Sequence, residues 1–314
     1  MKRRWFAIIA AVSLLCAACS SAPKRTMLVR DVAAQATTYF ETGNNELAAG
    51  LFESAGLHLQ KAYTLAASVD DADLLCRILL SATIYRLAVA TVDVSAVSAR
   101  GGQNDIPFAG LASETLLARA DECARRTNRA DVLTAVCAVY GQKNAITKRG
   151  AQADFAAAHT ALDASEQKLG KEPYYRAFLQ RTRGDVYELQ QNYAAADRAY
   201  LTAAELHTKN RYLYEVGIDW YSAARVRSLA GNKVGALDAM EQALRYDRDA
   251  ENTPAIAADY VAIARILAKG SPTAQEKSRA ARSARWAAEI YEAGGFAESA
   301  QEARALSEQL EENQ

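Results

Sequence analysis

Polar and apolar residues rarely alternate along this chain over five or more positions, so the period of two that marks a half-buried β-strand is nearly absent. Long stretches are instead rich in Ala, Leu, Glu, Gln and Arg, which favour helices. Gly, Asn and Pro interrupt these stretches. The pattern predicts an all-α protein with helices of about 15 to 25 residues. The predicted loops lie at 43–45, 101–104, 170–173, 231–232, 252–254, 270–272 and 294–295.

A fixed spacing of small and aromatic residues recurs inside the helical stretches. Intervals of 3, 9, 4 and 3 residues separate Gly184, Tyr187, Ala196, Tyr200 and Ala203. The same intervals return 40 residues later in Ala224, Arg227, Ala236, Met240 and Ala243, and near the start in Ala36, Tyr39, Ala48, Phe52 and Ala55. A closing unit is suggested by Ala288, Tyr291, Gly295 and Ala300, with Arg304 where a large apolar residue is expected.

This spacing resembles the tetratricopeptide repeat, a pair of antiparallel helices whose first small residue admits the partner helix. The resemblance is strongest over 174–248, fair over 32–58 and 284–311, and poor over 70–165, which we interpret as a divergent helical segment. It implies a right-handed α-solenoid of roughly six helix pairs over residues 26–311, because a single helix pair cannot bury its apolar faces without neighbouring pairs.

The N-terminus, MKRRWFAIIAAVSLLCAACSS, has the pattern of a bacterial export signal. Three basic residues precede an apolar stretch of fourteen residues, which is shorter than the roughly 20 needed to span a bilayer. The small residues before Cys19 resemble the lipobox of bacterial lipoproteins, although Cys16 stands where that box usually has Leu. We predict a signal peptide at 1–18, an acylated Cys19 and a tether at 19–25. The alternatives are an uncleaved anchor or ordinary secretion.

Charge and motifs exclude several classes of function. Lys and Arg number 37, as do Asp and Glu, and removal of the signal would leave a net charge of −3 without a basic patch, so we expect no nucleic-acid binding. His58, His159 and His207 have no second ligand at i+3 or i+4, which excludes an HExxH zinc site. Phosphate-loop and GxSxG motifs are missing. We therefore predict a non-enzyme without metal or cofactor.

Three cysteines remain besides those near the anchor: Cys76, Cys123 and Cys137. An odd number argues against a disulfide framework. An exported chain could still oxidise one pair. Buried free thiols are the favoured interpretation, and whether any two form a disulfide stays open from the sequence alone.

The resemblance also implies a partner-binding groove on the inward face of the first helix of each pair. The matching positions are Phe178, Arg181, Asp185, Glu188, Ile218, Tyr221, Arg225 and Ser228. Eight of the fifteen tyrosines lie between Tyr174 and Tyr221, and tyrosine with arginine is the composition favoured at binding hot spots. Tyr174 and Tyr175 are weaker surface candidates.

These features predict a lipid-anchored periplasmic adaptor that docks another cell-envelope protein without catalysis. Ser20 after the cysteine favours the outer over the inner membrane, since an aspartate there would favour inner-membrane retention. The combination also resembles helical-repeat lipoproteins that accompany TRAP-type transporters, so the alternative is a transport accessory with a ligand pocket or channel. A helical enzyme such as a muramidase is disfavoured, because paired carboxylates cannot be placed from sequence.

Overall fold

The computed structural model describes residues 30–91, 108 and 110–312, which form thirteen α-helices and a short 3-10 turn at Gly150–Gln152. The first six helices are α1 (Asp31–Ala48), α2 (Phe52–Ser68), α3 (Ala72–Thr91), α4 (Ser113–Arg125), α5 (Ala130–Arg149) and α6 (Phe155–Lys168). The others are α7 (Pro173–Leu189), α8 (Tyr193–Lys209), α9 (Leu213–Leu229), α10 (Lys233–Asp249), α11 (Thr253–Ala268), α12 (Ala274–Ala293) and α13 (Ala297–Glu312). The predicted signal peptide, Cys19, the tether and the loop at 101–104 lie outside the described residues. No described helix is long and apolar enough to cross a membrane.

Consecutive helices pack against each other throughout, which confirms the predicted all-α solenoid. Six pairs run from α1–α2 to α11–α12, and α13 covers the last pair. We call the first helix of each pair its A helix and the second its B helix. The A helices α7, α9 and α11 begin 40 residues apart, so the repeat is regular over this part of the chain.

Turns between the most regular helices share one backbone conformation. A residue with a positive φ, between 54° and 80°, recurs every 20 residues in these turns, at Gln191, Arg211, Gly231 and Glu251. Asn192 and Asn232 then cap the next helix, because their side chains accept hydrogen bonds from Ala195 N and Gly235 N. Only one of the four positive-φ positions carries glycine, the residue that adopts this conformation most readily.

The predicted loop at 43–45 is wrong, since these residues lie inside α1 and the chain turns at 49–51. Gly43 serves close packing instead: a Cβ atom there would lie 3.0 Å from Leu59 Cγ of α2. Gly50, with φ of 74°, supplies the turn.

The structure also corrects the register of the first repeat. The residues that occupy the positions of Gly184, Ala196, Tyr200 and Ala203 are Gly43, Ala55, Leu59 and Ala62, all of them buried. They lie seven residues beyond the predicted set that began at Ala36. Seven residues are about two helical turns, so both registers place small residues on the same helix face.

Tyr200 of α8 is the central packing residue of the best repeat. Its side chain is fully buried, and its ring lies directly against Gly184 of α7. Its hydroxyl reaches past that glycine to lie 2.8 Å from Asp185 Oδ1 and 2.9 Å from Glu188 Oε2. One repeat later, Arg227 stands at the position that corresponds to Tyr187, and it makes an ion pair with Asp197 at 2.8 Å.

Gly184→Ala is expected to lower the free energy of unfolding by about 1 to 3 kcal/mol, because the new Cβ would lie 2.6 Å from Tyr200 Cε1. The measurement is urea unfolding followed by circular dichroism. Gly141→Ala is the matched control within α5: its Cβ would meet no atom within 4 Å, so the better helix former should be neutral or stabilise by up to about 1 kcal/mol. Equal effects of the two changes would contradict the packing described for Gly184.

Candidate functional site

Five A helices surround a cavity of about 710 Å³ on the inner side of the solenoid. α1, α3, α5, α7 and α9 all contribute, and α1 contacts α9 although the two lie far apart in the chain. The lining residues are Phe40, Glu41, Asn44, Asn45, Ala48, Arg77, Ser81, Arg129, Tyr140, Glu172, Pro173, Tyr174, Tyr175, Arg211, Tyr212, Leu213, Tyr214, Glu215, Asp249 and Ala250. Ten of these twenty are charged, amide or hydroxyl-bearing residues other than tyrosine, so the cavity is amphipathic.

Tyrosines from the first turns of α7 and α9 form one wall. Tyr174 meets Tyr175 and Tyr212 edge-on, with ring centroids 5.6 Å and 5.3 Å apart. Tyr212 keeps 38% of its surface exposed. Burial raises the pKa of Tyr174 well above its usual value and that of Tyr175 to about 12. Both phenols are therefore neutral hydrogen-bond donors at physiological pH.

Two of the arginines that line the cavity contact neighbouring helices. The Arg77 guanidinium lies over the Phe40 ring, 4.9 Å from its centroid. Arg129, at the start of α5, donates to Asp73 at 3.3 Å and to Glu172 at 2.6 Å, and so links α3 to α7. The Asn44 side chain, by contrast, has no hydrogen-bond partner among the described residues and is half-buried at the cavity.

An ion network adjoins the tyrosine wall, and one of its members, Glu215, lines the cavity. Buried Arg181 makes ion pairs with Glu215 and with Asp219, at 2.6 Å from Nε to Oδ1 for the latter. His207 Nδ1 lies 2.6 Å from the other Asp219 oxygen. Burial is the largest single effect on the pKa of Glu215 and would raise it. The Arg181 charge, the neighbouring His207 and the hydrogen bonds from Arg181 and Tyr174 together outweigh burial, so the pKa lies below its ordinary value. The network is thus built from charged groups that compensate one another in the interior.

None of the eight predicted groove residues lines this cavity. Phe178 and Arg181 lie one layer behind it, since Phe178 stacks on Tyr140 with ring centroids 4.3 Å apart and Arg181 pairs with Glu215. Both are buried by contacts within the chain.

Three of the predicted residues form a charged row across successive A helices. Lys143 of α5 contacts Asp185 at 2.7 Å, and Arg225 of α9 contacts Glu188 at 2.6 Å. Tyr200 lies between the two carboxylates, and burial raises its pKa above the usual value. Arg225 is exposed, so one end of this row is open to solvent.

The remaining predicted residues are half-buried on α9. Tyr221 packs against the apolar core of α10 and α11. The Ser228 carbonyl accepts a hydrogen bond from Lys269 Nζ at 2.6 Å, and the Ile218 carbonyl accepts one from Ser222 at 2.9 Å. Sequence reasoning missed Tyr212, Tyr214 and Asn44. The signal that could have found the tyrosines is the recurrence of aromatic residues at the start of successive A helices, in PYY and RYLY.

The histidines are spread over the fold. His58 pairs with Glu46 at 2.6 Å, and His159 lies 3.0 Å from Gln190 Oε1. Across 30–91 and 110–312, no cluster of three His, Cys, Asp or Glu side chains could hold a metal ion.

Comparison with known proteins finds similarity in fold only. No family model matches the chain, and no curated protein does. Among solved structures, aspartyl phosphate phosphatase F from Bacillus subtilis superposes with a TM-score of 0.48 at 12% identity, over 89% of this chain and 71% of that one. The apo form of RapI gives a TM-score of 0.45 at 14% identity, over 88% of this chain and 97% of that one. The chain's own helix pairs and their buried repeat positions define it as a tetratricopeptide-like helical-repeat protein.

Proposed function

We propose that this protein is a non-catalytic scaffold that holds a peptide segment of another cell-envelope protein in the cavity between its A helices. The observation that carries the proposal is the amphipathic lining of that cavity, half of which is charged or polar. A peptide presents backbone amides, apolar side chains and charges together, and a mixed lining matches this better than it matches a wholly apolar ligand.

Each kind of lining residue has a counterpart on a peptide. The Asn44 and Asn45 carboxamides can both donate to and accept from a peptide backbone. The tyrosine wall offers apolar area with little conformational freedom to lose, and the half-exposed Tyr212 can add a hydroxyl donor, whereas the Tyr174 hydroxyl already donates to Glu215 at 3.2 Å. Glu41, Asp249 and Arg211 supply charges of both signs for side-chain selectivity.

The proposal includes a lipid anchor at Cys19 on the periplasmic face of the membrane, with the outer membrane favoured. Its support is the N-terminal pattern of basic residues, short apolar stretch and small residues before a cysteine. An acylated cysteine with more than one chain would hold the protein stably at the bilayer. A tether of a few residues would keep the solenoid close to that surface.

The test is chemical crosslinking in cells that carry the full chain, followed by capture from the membrane fraction and identification of the partner. Combining Asn44→Ala with Tyr212→Ala should reduce partner capture at least about tenfold, because two hot-spot side chains together contribute several kcal/mol. Trp286→Ala, an exposed aromatic on α12 outside the cavity, should leave capture unchanged. Unchanged capture by the double variant would refute the cavity as the docking site. Retention of Cys19→Ala in the membrane fraction would refute the anchor.

The cavity volume favours one alternative, a transport accessory of the TRAP type. About 710 Å³ lies within the range of roughly 300 to 1,000 Å³ typical of small-molecule sites. The purified chain would then bind an organic solute with one-to-one stoichiometry in calorimetry. That binding would be weakened by Tyr212→Ala, and no crosslinked protein would depend on the cavity.

A further inference from the structure

Two cysteines meet in the core at a point that the proposed function does not use. Cys76 of α3 and Cys137 of α5 are both buried, and their sulfur atoms lie 3.9 Å apart. The two residues are 61 positions apart in the chain. Cys123 of α4 is the remaining thiol among the described residues and is only partly buried.

We propose that Cys76 and Cys137 are a disulfide site, which an oxidising thiol–disulfide couple converts to an intramolecular bond. A disulfide needs a sulfur separation of about 2.05 Å, so the two atoms must approach by roughly 1.9 Å. Rotation about the Cα–Cβ bond of each cysteine moves its sulfur over a comparable distance without displacing the helix. No other pair of sulfur atoms among the described residues makes such a contact.

The oxidant is a low-molecular-weight disulfide such as oxidised glutathione. One cysteine thiolate attacks it and releases one glutathione thiolate, which leaves a mixed disulfide. The second cysteine then attacks the protein sulfur and releases the other glutathione. The protein loses two protons and two electrons, and the oxidised glutathione becomes two reduced molecules.

Burial determines when this exchange occurs. The contact with Cys137 and the buried surroundings raise the pKa of Cys76, which suppresses the thiolate needed for attack. Cys76 has no exposed surface, so its sulfur is also shielded from a reagent of glutathione size. The bond therefore forms while the chain folds, and forms slowly once the helices have packed.

The bond would hold α3 and α5 together beside the cavity. Arg77 follows Cys76 directly in α3, and Tyr140 lies one helical turn after Cys137 in α5, and both line the cavity. Closing a 61-residue loop should also stabilise the fold by restricting the unfolded chain.

The test is refolding of the full chain from guanidinium with oxidised and reduced glutathione, then alkylation and mass spectrometry of unreduced peptides. We expect a crosslinked peptide joining Cys76 to Cys137, two hydrogen atoms lighter than its parts, and a rise in Tm of roughly 5 to 15 °C over the reduced chain. Cys123→Ser should give the same peptide. The folded, reduced chain should form the Cys76–Cys137 bond at least about ten times more slowly than the refolding chain does.

Crosslinks that join Cys123 to either partner, or free thiols at both Cys76 and Cys137 after refolding, would overturn the assignment. Cys76→Ser and Cys137→Ser should each abolish the crosslinked peptide. Should either variant fail to fold, the peptide maps of the parent and of Cys123→Ser still show whether Cys76 and Cys137 are joined. The outcome is independent of whether the cavity binds a peptide.

Discussion

Replacing Arg181 by alanine should lower the free energy of unfolding by about 3 to 5 kcal/mol. The guanidinium is the buried positive charge that holds Glu215 and Asp219, and it also donates to the Glu215 carbonyl at 2.8 Å. Truncation would leave two carboxylates in the interior with only His207 to compensate them. Equilibrium unfolding in urea, with the slope compared between variants, measures the loss.

Arg225→Ala is the matched control, since Arg225 belongs to the next A helix and pairs with Glu188 from an exposed position. An exposed ion pair contributes little, so its loss should cost less than about 1 kcal/mol. Similar losses for Arg181 and Arg225 would contradict the burial described for Arg181. The comparison also shows why Arg181→Ala is unsuited to a binding assay: it would reduce partner capture through unfolding.

The regular helix pairs could be predicted where the recurring spacing of small residues is kept. Small residues at 184, 196 and 203 are buried as the spacing predicts, because only small side chains let the paired helices approach closely. The turns were predicted only where glycine, asparagine or proline mark them. Those at Gln191 and Arg211 adopt a positive φ without glycine, and the only signal beside each is a single asparagine, Asn192 or Asn210, which our loop prediction did not use.

The cavity could not be predicted from the repeat pattern, because it depends on the curvature of the whole solenoid. α1 comes to lie beside α9 through small rotations added at each pair, and no single repeat contains that information. The predicted groove positions follow the middle and end of each A helix. The cavity lies instead at the start of α7 and α9, next to Arg129 and to Tyr140 of α5, where the second half of α1 closes the inner face.

Buried polar pairs between successive repeats were likewise invisible in the sequence. His207 of α8 and Asp219 of α9 form an ion pair between a B helix and the next A helix. Forty residues later the same positions are Asp247 of α10 and Asp259 of α11, so two carboxyl groups meet where histidine met aspartate. Only the three-dimensional stacking brings these positions together.

The Asp247 and Asp259 side chains are both buried and hydrogen-bond to each other. Asn252 donates to Asp247 Oδ1 at 3.4 Å, whereas Asp259 Oδ2 has no hydrogen-bond partner among the described residues. Burial raises the pKa of Asp247 to about 6. Burial and the neighbouring Asp247 raise the pKa of Asp259 to about 9, against a weaker opposing effect of Arg248. The folded pair therefore keeps a proton that two unfolded aspartates release near pH 4.

Asp259→Asn should gain stability relative to the parent as pH rises from 5 to 8, by about 2 to 4 kcal/mol. In the parent, the raised pKa of Asp259 gives a contribution to stability that is fully present below the unfolded pKa and is lost as pH rises toward 9, because folding must take up a proton. Asparagine needs no proton and can donate its amide hydrogen to Asp247. Urea unfolding at pH 5, 6, 7 and 8 measures the difference. Asp238→Asn, an exposed change on α10, should shift stability by less than about 0.5 kcal/mol at every pH. Parallel curves for Asp259→Asn and the parent would show that the pair holds no proton near neutral pH.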